Sequence, residues 1–234
     1  MIGREFAKMN GWGNDFVVFE GPAQISSDEV RAICDRRFGV GADGVLIVSA
    51  GPPIRMEYWN ADGTPAEMCG NGLRCVARFA RDRGMANEDR FDIVTPVGPM
   101  AAEITDDLIA VEIGRGVVEG QRQIEGTDYH LVDVGNPHAV TRVDTLDDID
   151  VTTVGARVGR DSSFPNGANV EFISVADGVV DMRVWERGVG ETLACGSGMV
   201  AAAAVAMAEY GFTAPVRVNV PGGSGLVEDR GGRH

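Results

Sequence analysis

Lysine is nearly absent from this 234-residue chain. Lys8 is the only one among 21 basic residues, set against 35 acidic ones, and the formal net charge is -14. A surface of that sign argues against nucleic acid and anionic membranes as partners, because both are held by positive patches. Lys8 stands in no context that suggests a pyridoxal phosphate Schiff base. Long apolar runs are missing too: Met199–Met207 falls well short of the roughly 20 residues of a membrane span. The opening MIGREFAKMN has no apolar signal core, so the expected compartment is the cytoplasm. There are four cysteines (Cys34, Cys69, Cys75, Cys195), none in CxxC spacing, and His130, His138 and His234 show no ligand-type spacing. Neither a disulfide framework nor a structural zinc site is expected from that pattern. What remains is an ordinary globular composition, 44% hydrophobic and 24% charged, long enough for two domains.

Two segments are versions of each other. Met56–Gly72 reads MEYWNADGTPAEMCGNG, and Met182–Gly198 reads MRVWERGVGETLACGSG. Without a gap, 126 residues apart, the Met, the Trp, the Cys and the two final Gly coincide. At the same offset Gly41-Ala42 recurs as Gly167-Ala168, and Ile47 as Ile173. Gly13-Asn14 recurs as Gly135-Asn136, and Gly84 as Gly211. The near-constant offsets imply internal duplication and two similar domains related by a pseudo-twofold axis.

Local patterns give an alternation of strands and helices. Glu5–Phe19 reads as two strands around Gly11-Trp12-Gly13-Asn14-Asp15. Glu29–Arg37 reads as a helix behind the start signal Ser26-Ser27-Asp28-Glu29. Val45–Ser49 and Arg55–Trp59 read as strands. Asn71–Arg83 carries Leu73, Val76, Ala77 and Ala80 at helical spacing and is closed by Gly84. Phe91–Val97, Ala101–Ile104 and Ile109–Ile113 read as strands, and the polar, Gly-punctuated Gly114–Gly126 as a linker. Leu131–Val140 reads as a strand interrupted at Gly135-Asn136-Pro137-His138. Val170–Val175, Val180–Trp185 and Val216–Val220 are further strands, and Gly198–Tyr210 is an Ala-rich helix. Gly39–Gly44 matches G-x-G-x-x-G, but it follows a helix and opens a strand, the reverse of a dinucleotide site. Asn60-Ala61-Asp62-Gly63 matches the start of a calcium loop whose later ligands are missing.

Each Cys-Gly-X-Gly stands directly before a helix. A helix start presents N–H groups without internal partners and the positive end of the dipole. Gly70 and Gly72, like Gly196 and Gly198, permit close approach of a ligand, and Asn71 and Ser197 add short polar side chains. Each segment is therefore a carboxylate cradle, and the dipole is expected to lower the cysteine pKa. Two such sites facing one carbon would let one thiolate remove a proton while the other thiol delivers one from behind. The N–H donors would stabilise the developing enolate-like charge. A buried, unreactive cysteine is the competing reading for either residue alone, and the one adopted for Cys34 and Cys75.

The motifs resemble diaminopimelate epimerase, of the cofactor-independent two-base racemases and epimerases. The matching segments are Lys8–Phe16 (KMNGWGNDF), Arg37–Gly44 (RFGVGADG), Asn60–Cys75 (NADGTPAEMCGNGLRC), Gly135–His138 (GNPH), Pro165–Val170 (PNGANV), Glu186–Gly198 (ERGVGETLACGSG) and Pro221-Gly222-Gly223. They come in the family's order and cover most of the chain. The resemblance implies an α/β (α+β) fold of two homologous domains, 1–115 and 116–234. Each would be a curved, mostly antiparallel sheet or barrel around a central helix, with the active site in the cleft between them. It implies Cys69 and Cys195 as the acid–base pair, with His138 and Glu186 supporting the reacting centre. It implies substrate contacts from Asn14, Asn60, Gly70, Asn71, Asn136, Asn169, Glu186, Arg187, Gly196 and Ser197. It implies epimerisation of LL-diaminopimelate to the meso form without metal or coenzyme, and is compatible with a homodimer.

The residue types suit a diamino diacid. Asn donates and accepts, Glu186 can take an ammonium, and Arg187 can grip a carboxylate bidentately. By themselves, Asn14 and Asn136 also fit plain turn positions, and Glu186-Arg187 an exposed pair. Many family members carry Gln at the position of Gly44; glycine has no side chain to contribute, so Gly44 is not counted among the binding residues. After Pro221-Gly222-Gly223 the family continues to a further hairpin and a return strand, whereas SGLVEDRGGRH is short and polar and is expected to lack that strand. The alternatives are a two-cysteine racemase of proline, hydroxyproline or histidine, and an inactive binding paralogue.

Overall fold

The computed structural model describes residues 4–66, 68–106 and 108–231; Glu67, in one of the motifs above, and His234 lie outside them. The chain divides into two compact units that meet between Glu112 and Ile113.

In the first unit, β1 (Ala7–Gly11) and β2 (Asn14–Glu20) pair antiparallel across the Trp12-Gly13 turn. Then comes α1 (Ser27–Cys34), opened by a capping box: the Ser26 hydroxyl accepts from the Glu29 N–H, and the Glu29 carboxylate accepts from the Ser26 N–H. α1 stops short of the expected Arg37. The Asp35 carboxylate accepts from the N–H groups of Arg37 and Phe38, a local turn that competes with the next helical hydrogen bonds. β3 (Gly44–Ser49), β4 (Ile54–Asn60) and the short β5 (Pro65–Ala66) lead to α2 (Gly70–Asp82), and β6 (Arg90–Thr95), β7 (Gly98–Thr105) and β8 (Leu108–Val111) follow.

The second unit repeats this order with one strand added in front and one fewer behind. It runs β9 (Val117–Ile124), β10 (Thr127–Asp133), β11 (Pro137–Arg142), α3 (Val151–Val158), β12 (Asn169–Ala176), β13 (Val179–Glu186), β14 (Gly190–Thr192), α4 (Gly196–Glu209), β15 (Val216–Val220) and β16 (Gly223–Val227).

The sheet orders are β1-β2-β3-β4-β6-β7-β8 and β16-β15-β13-β12-β11-β10-β9, with β5 beside β4 and β14 beside β13. Each sheet is mostly antiparallel, with two parallel pairs at corresponding places: β2/β3 and β4/β6, then β11/β12 and β13/β15. Each curls around its long helix. α2 touches β1 to β4, β7 and β8, and α4 touches β9 to β13, β15 and β16. α2 buries Leu73, Val76, Ala77 and Ala80 against Phe16, Val18, Leu46 and Met56. α4 is apolar on every side and buried without a break from Gly198 to Ala206, as a helix enclosed by a sheet must be.

Two expectations are corrected, and the chain holds elements that its pattern does not announce. The Gly114–Gly126 segment is no linker, since Val117–Ile124 is β9, hydrogen-bonded along β10. It is polar because, as an edge strand, nearly all its side chains are partly or fully exposed. After Pro221-Gly222, Gly223–Val227 pairs antiparallel with β15 as β16, within the second unit. The pattern of the chain gives no sign of α3. Its β-branched, Gly-containing sequence is a weak helix former, and it is fixed by packing: a Cβ on Gly155 or Gly159 would come 2.3 or 2.4 Å from the Trp185 ring system or its Cβ. Lastly, Ile173 does not take the place of Ile47. Met56 pairs with Val48 and Met182 with Ile173, so β12 is displaced by one residue, and Glu171 stands where Leu46 stands in the first unit.

Among the described residues no helix is long and apolar enough to cross a membrane.

Candidate active site

Both paired cysteines are the residues that cap a central helix. Cys69 is the N-cap of α2, in extended backbone, and its sulfur accepts from the Gly72 N–H at 3.5 Å. Its thiol donates to Asn14 Oδ1 at 3.4 Å. The other end of the Asn14 amide donates to Asp43 Oδ2 at 2.8 Å. Asn14 is therefore both the turn residue and a held group beside the thiol. A charged cluster fixes the turn: Arg36 bridges Asp15 and Asp43 at 2.7 Å each, and Lys8 lies 2.6 Å from Asp15. Partial burial works to raise the Asp15 pKa, but Arg36 and Lys8 outweigh it and hold the carboxyl well below the ordinary range. Lysine scarcity thus leaves one lysine, and it is placed under the first half-site.

Gly70 and Asn71 form the first turn of α2. Asn71 is buried and accepts at Oδ1 from Arg74 at 2.9 Å, and the Arg74 guanidinium lies 3.5 Å over the Trp12 ring. Trp12 has a positive φ of 55°, so the stack holds a strained turn residue next to Asn14. Asn60 ends β4 and donates to Thr64 Oγ1 at 3.1 Å across a tight turn. Gly44 admits no side chain on this backbone, since a Cβ would lie 2.6 Å from the Trp59 carbonyl oxygen. Cys34 and Cys75 are buried, and burial pushes their thiols up to about 11 and about 12.

In the second unit Cys195 caps α4, with its sulfur 3.5 Å from the Ser197 hydroxyl. Burial, followed by the Glu186 and Glu171 carboxylates, pushes this thiol well above its usual pKa. The expected lowering by the helix dipole is overturned at Cys195, because desolvation and two acidic neighbours outweigh a terminal dipole. Glu186 closes β13 and accepts from the Thr192 hydroxyl; burial raises its own pKa, and the Thr192 hydroxyl and the nearby Cys195 thiol work against that rise. Gly196 and Ser197 form the first turn of α4.

Asn136, His138, Asn169 and Arg187 come together. His138 Nε2 is 3.1 Å from Asn136 Oδ1 and 3.5 Å from Asn169 Nδ2. Asn169 Oδ1 accepts from the Arg187 N–H at 2.9 Å, and the Arg187 guanidinium donates to the carbonyls of Asn166 and Gly167. His138 Nδ1 is 2.7 Å from Glu171 Oε1, both side chains being fully buried.

Asp43, Arg74, Thr192 and Glu171 are further members of the site that the sequence reading does not reach. Glu171 carries a signal, a carboxylate inside the apolar run VEFISV. The other three lie inside motif segments quoted above, but their roles are signalled only by the contacts they make. Among the described residues no group of three or more His, Cys, Asp or Glu is arranged to hold a metal ion.

Comparison with known proteins places the chain in a family. A family model described as diaminopimelate epimerase matches residues 6–119 and 130–233. A diaminopimelate epimerase from Thioalkalivibrio sulfidiphilus is 38% identical over 245 residues, covering 94% of this chain and 88% of that protein. One from Corynebacterium aurimucosum is 41% identical over 255 residues, covering 96% and 92%. Among solved structures, a putative phenazine biosynthesis PhzC/PhzF protein from Clostridium difficile superposes with a TM-score of 0.78 at 10% identity, over 99% of this chain and 93% of that one. That last likeness concerns the fold alone. With a cysteine at the head of each central helix and sequence identity running through both units, this chain belongs to the diaminopimelate epimerase family.

Proposed function

We propose that the protein interconverts LL- and meso-diaminopimelate in the cytoplasm, with Cys69 and Cys195 as the two bases and without metal or coenzyme. The observation that carries this reading is the matched pair of N-capping cysteines, each at the start of a buried helix in a family member.

The N–H groups and the positive dipole ends at the starts of α2 and α4 hold the carboxylate next to the reacting carbon, and they bind it more tightly as it becomes enolate-like. One sulfur takes the α-proton as thiolate, and the other gives its own proton to the opposite face. The configuration inverts while the pair exchanges roles. Cys195 enters as the acid, since burial and its acidic neighbours keep its proton on. Glu186, whose carboxylate acts on that thiol, takes the substrate ammonium. Asn14, Asn60, Asn136, Asn169 and Arg187 read the remaining polar groups.

The test is incubation with LL-diaminopimelate in deuterated water. The expected result is meso product carrying one α-deuterium. Wild-type protein that yields neither meso isomer nor deuterium uptake would refute the function, and full activity in Cys195→Ser would refute the mechanism.

A further inference from the structure

The two units place different chemistry at one corresponding spot beneath the start of the central helix. In the first, β2 and β3 pair Phe16 with Gly44 and Val18 with Leu46; in the second, β11 and β12 pair His138 with Asn169 and Val140 with Glu171. His138 thus occupies the place of Phe16, and Glu171 that of Leu46. The helix glycines agree with this: Leu46 is the nearest neighbour that a Cβ on Gly72 would meet, and Glu171 is the nearest for Gly198. The first unit fills this spot with fully buried apolar side chains. The second fills it with a fully buried histidine and carboxylate.

Packing alone does not explain the substitution. A buried ion pair is on average no more stabilising than an apolar pair of similar volume. Glu171 moreover leaves Oε2 buried with no hydrogen-bond partner, and an orphan of that kind asks for a reason other than stability. The reason is visible on the far side of the imidazole. With Nδ1 engaged by Glu171, the ring is oriented and its Nε2 meets the side-chain amides of both Asn136 and Asn169.

We propose that Glu171 is a positioning residue: it holds the Nδ1–H of His138 and so fixes the ring whose Nε2 lies against the Asn136 and Asn169 amides that read the substrate. Glu171 does not touch substrate; it acts through the imidazole, as a carboxylate behind a histidine fixes the orientation of its ring. This inference rests on the epimerase reading for its kinetic consequence and on the geometry alone for its spectroscopic one.

Two variants and two readouts test it. Glu171→Gln keeps the volume and one acceptor, whereas Glu171→Leu copies the residue of the first unit. Nitrogen-15 histidine spectra are sparse because the chain has only three histidines. In the wild type His138 Nδ1 is expected to carry a proton, and in Glu171→Leu that signature is expected to vanish. With LL-diaminopimelate, KM is expected to rise about 10- to 100-fold in Glu171→Leu, the range typical of lost outer-shell partners, and only a few-fold in Glu171→Gln. Melting temperature should not follow that order. An unprotonated Nδ1 in the wild type, or wild-type KM in both variants, would overturn the proposal. So would KM changes that track melting temperature while the histidine spectrum stays constant. If the wild type turns over no diaminopimelate, the epimerase reading fails, and the histidine spectrum alone decides the role of Glu171.

Discussion

Gly72 and Gly198 hold the same position in the first turn of α2 and α4, yet alanine is expected to act oppositely at the two. A Cβ on Gly72 would meet Leu46 Cδ2 at 3.4 Å, Met56 Cε at 3.5 Å and Cys69 Cβ at 3.6 Å, all ordinary contacts. A Cβ on Gly198 would lie 2.8 Å from Glu171 Oε1 and 3.3 Å from Cys195 Cβ. The carboxylate cannot swing aside freely because it is hydrogen-bonded to His138 at 2.7 Å. Alanine in a helix is favoured over glycine by up to about 1 kcal/mol, and overpacking a tight site costs about 1–3 kcal/mol. Gly72→Ala should therefore be neutral to stabilising, and Gly198→Ala destabilising by about 1–2 kcal/mol. For a chain of this size each kcal/mol moves the melting temperature by roughly 2–4 °C, so the two variants should differ by several degrees in differential scanning fluorimetry. Shortening the carboxylate removes the clash, so Gly198→Ala made in a Glu171→Ala background should lose most of its cost, a coupling that a double-mutant cycle reads directly. Equal shifts for Gly72→Ala and Gly198→Ala, or an additive cycle, would refute the argument.

Other outcomes follow from the charges and the thiols. Asp15 has a folded pKa below its unfolded value, so its ion pairs with Arg36 and Lys8 stabilise the fold fully above the ordinary carboxylate pKa of about 3.9, and that stability is lost as pH falls through the depressed folded value. Asp15→Asn should accordingly lower the melting temperature at pH 7 and progressively less at pH 3 and below; a constant gap would contradict this. Iodoacetamide at pH 8 should leave Cys34 and Cys75 unmodified in the native protein, since their thiols titrate near 11 and 12 and are buried. Peptide mass spectrometry showing either labelled as fast as in urea would count against that.

Periodicity and punctuation carry much of the fold. α2 has a single apolar stripe and closes at Gly84, whose φ of 68° suits glycine, so its limits lie within a residue of those expected. The capping box at Ser26 and Glu29 is likewise local chemistry, legible from residues three apart. β9 is not legible. An exposed edge strand has no apolar face to betray it, and only its hydrogen bonds to β10 define it. α3 is hidden for a related reason: its glycines suit the Trp185 ring rather than helix propensity.

The sequence by itself determined the duplication, the two cysteines at helix starts and the family, because these depend on residue identity at fixed spacing along the chain. Tertiary structure decided the rest. Sheet register displaced β12 by one residue and so placed Glu171 and His138, far apart in sequence, against each other under α4. Burial and neighbouring carboxylates raised the Cys195 thiol against the pull of its own helix dipole. Desolvation and register are properties of what surrounds a residue in space, and a linear pattern does not record them.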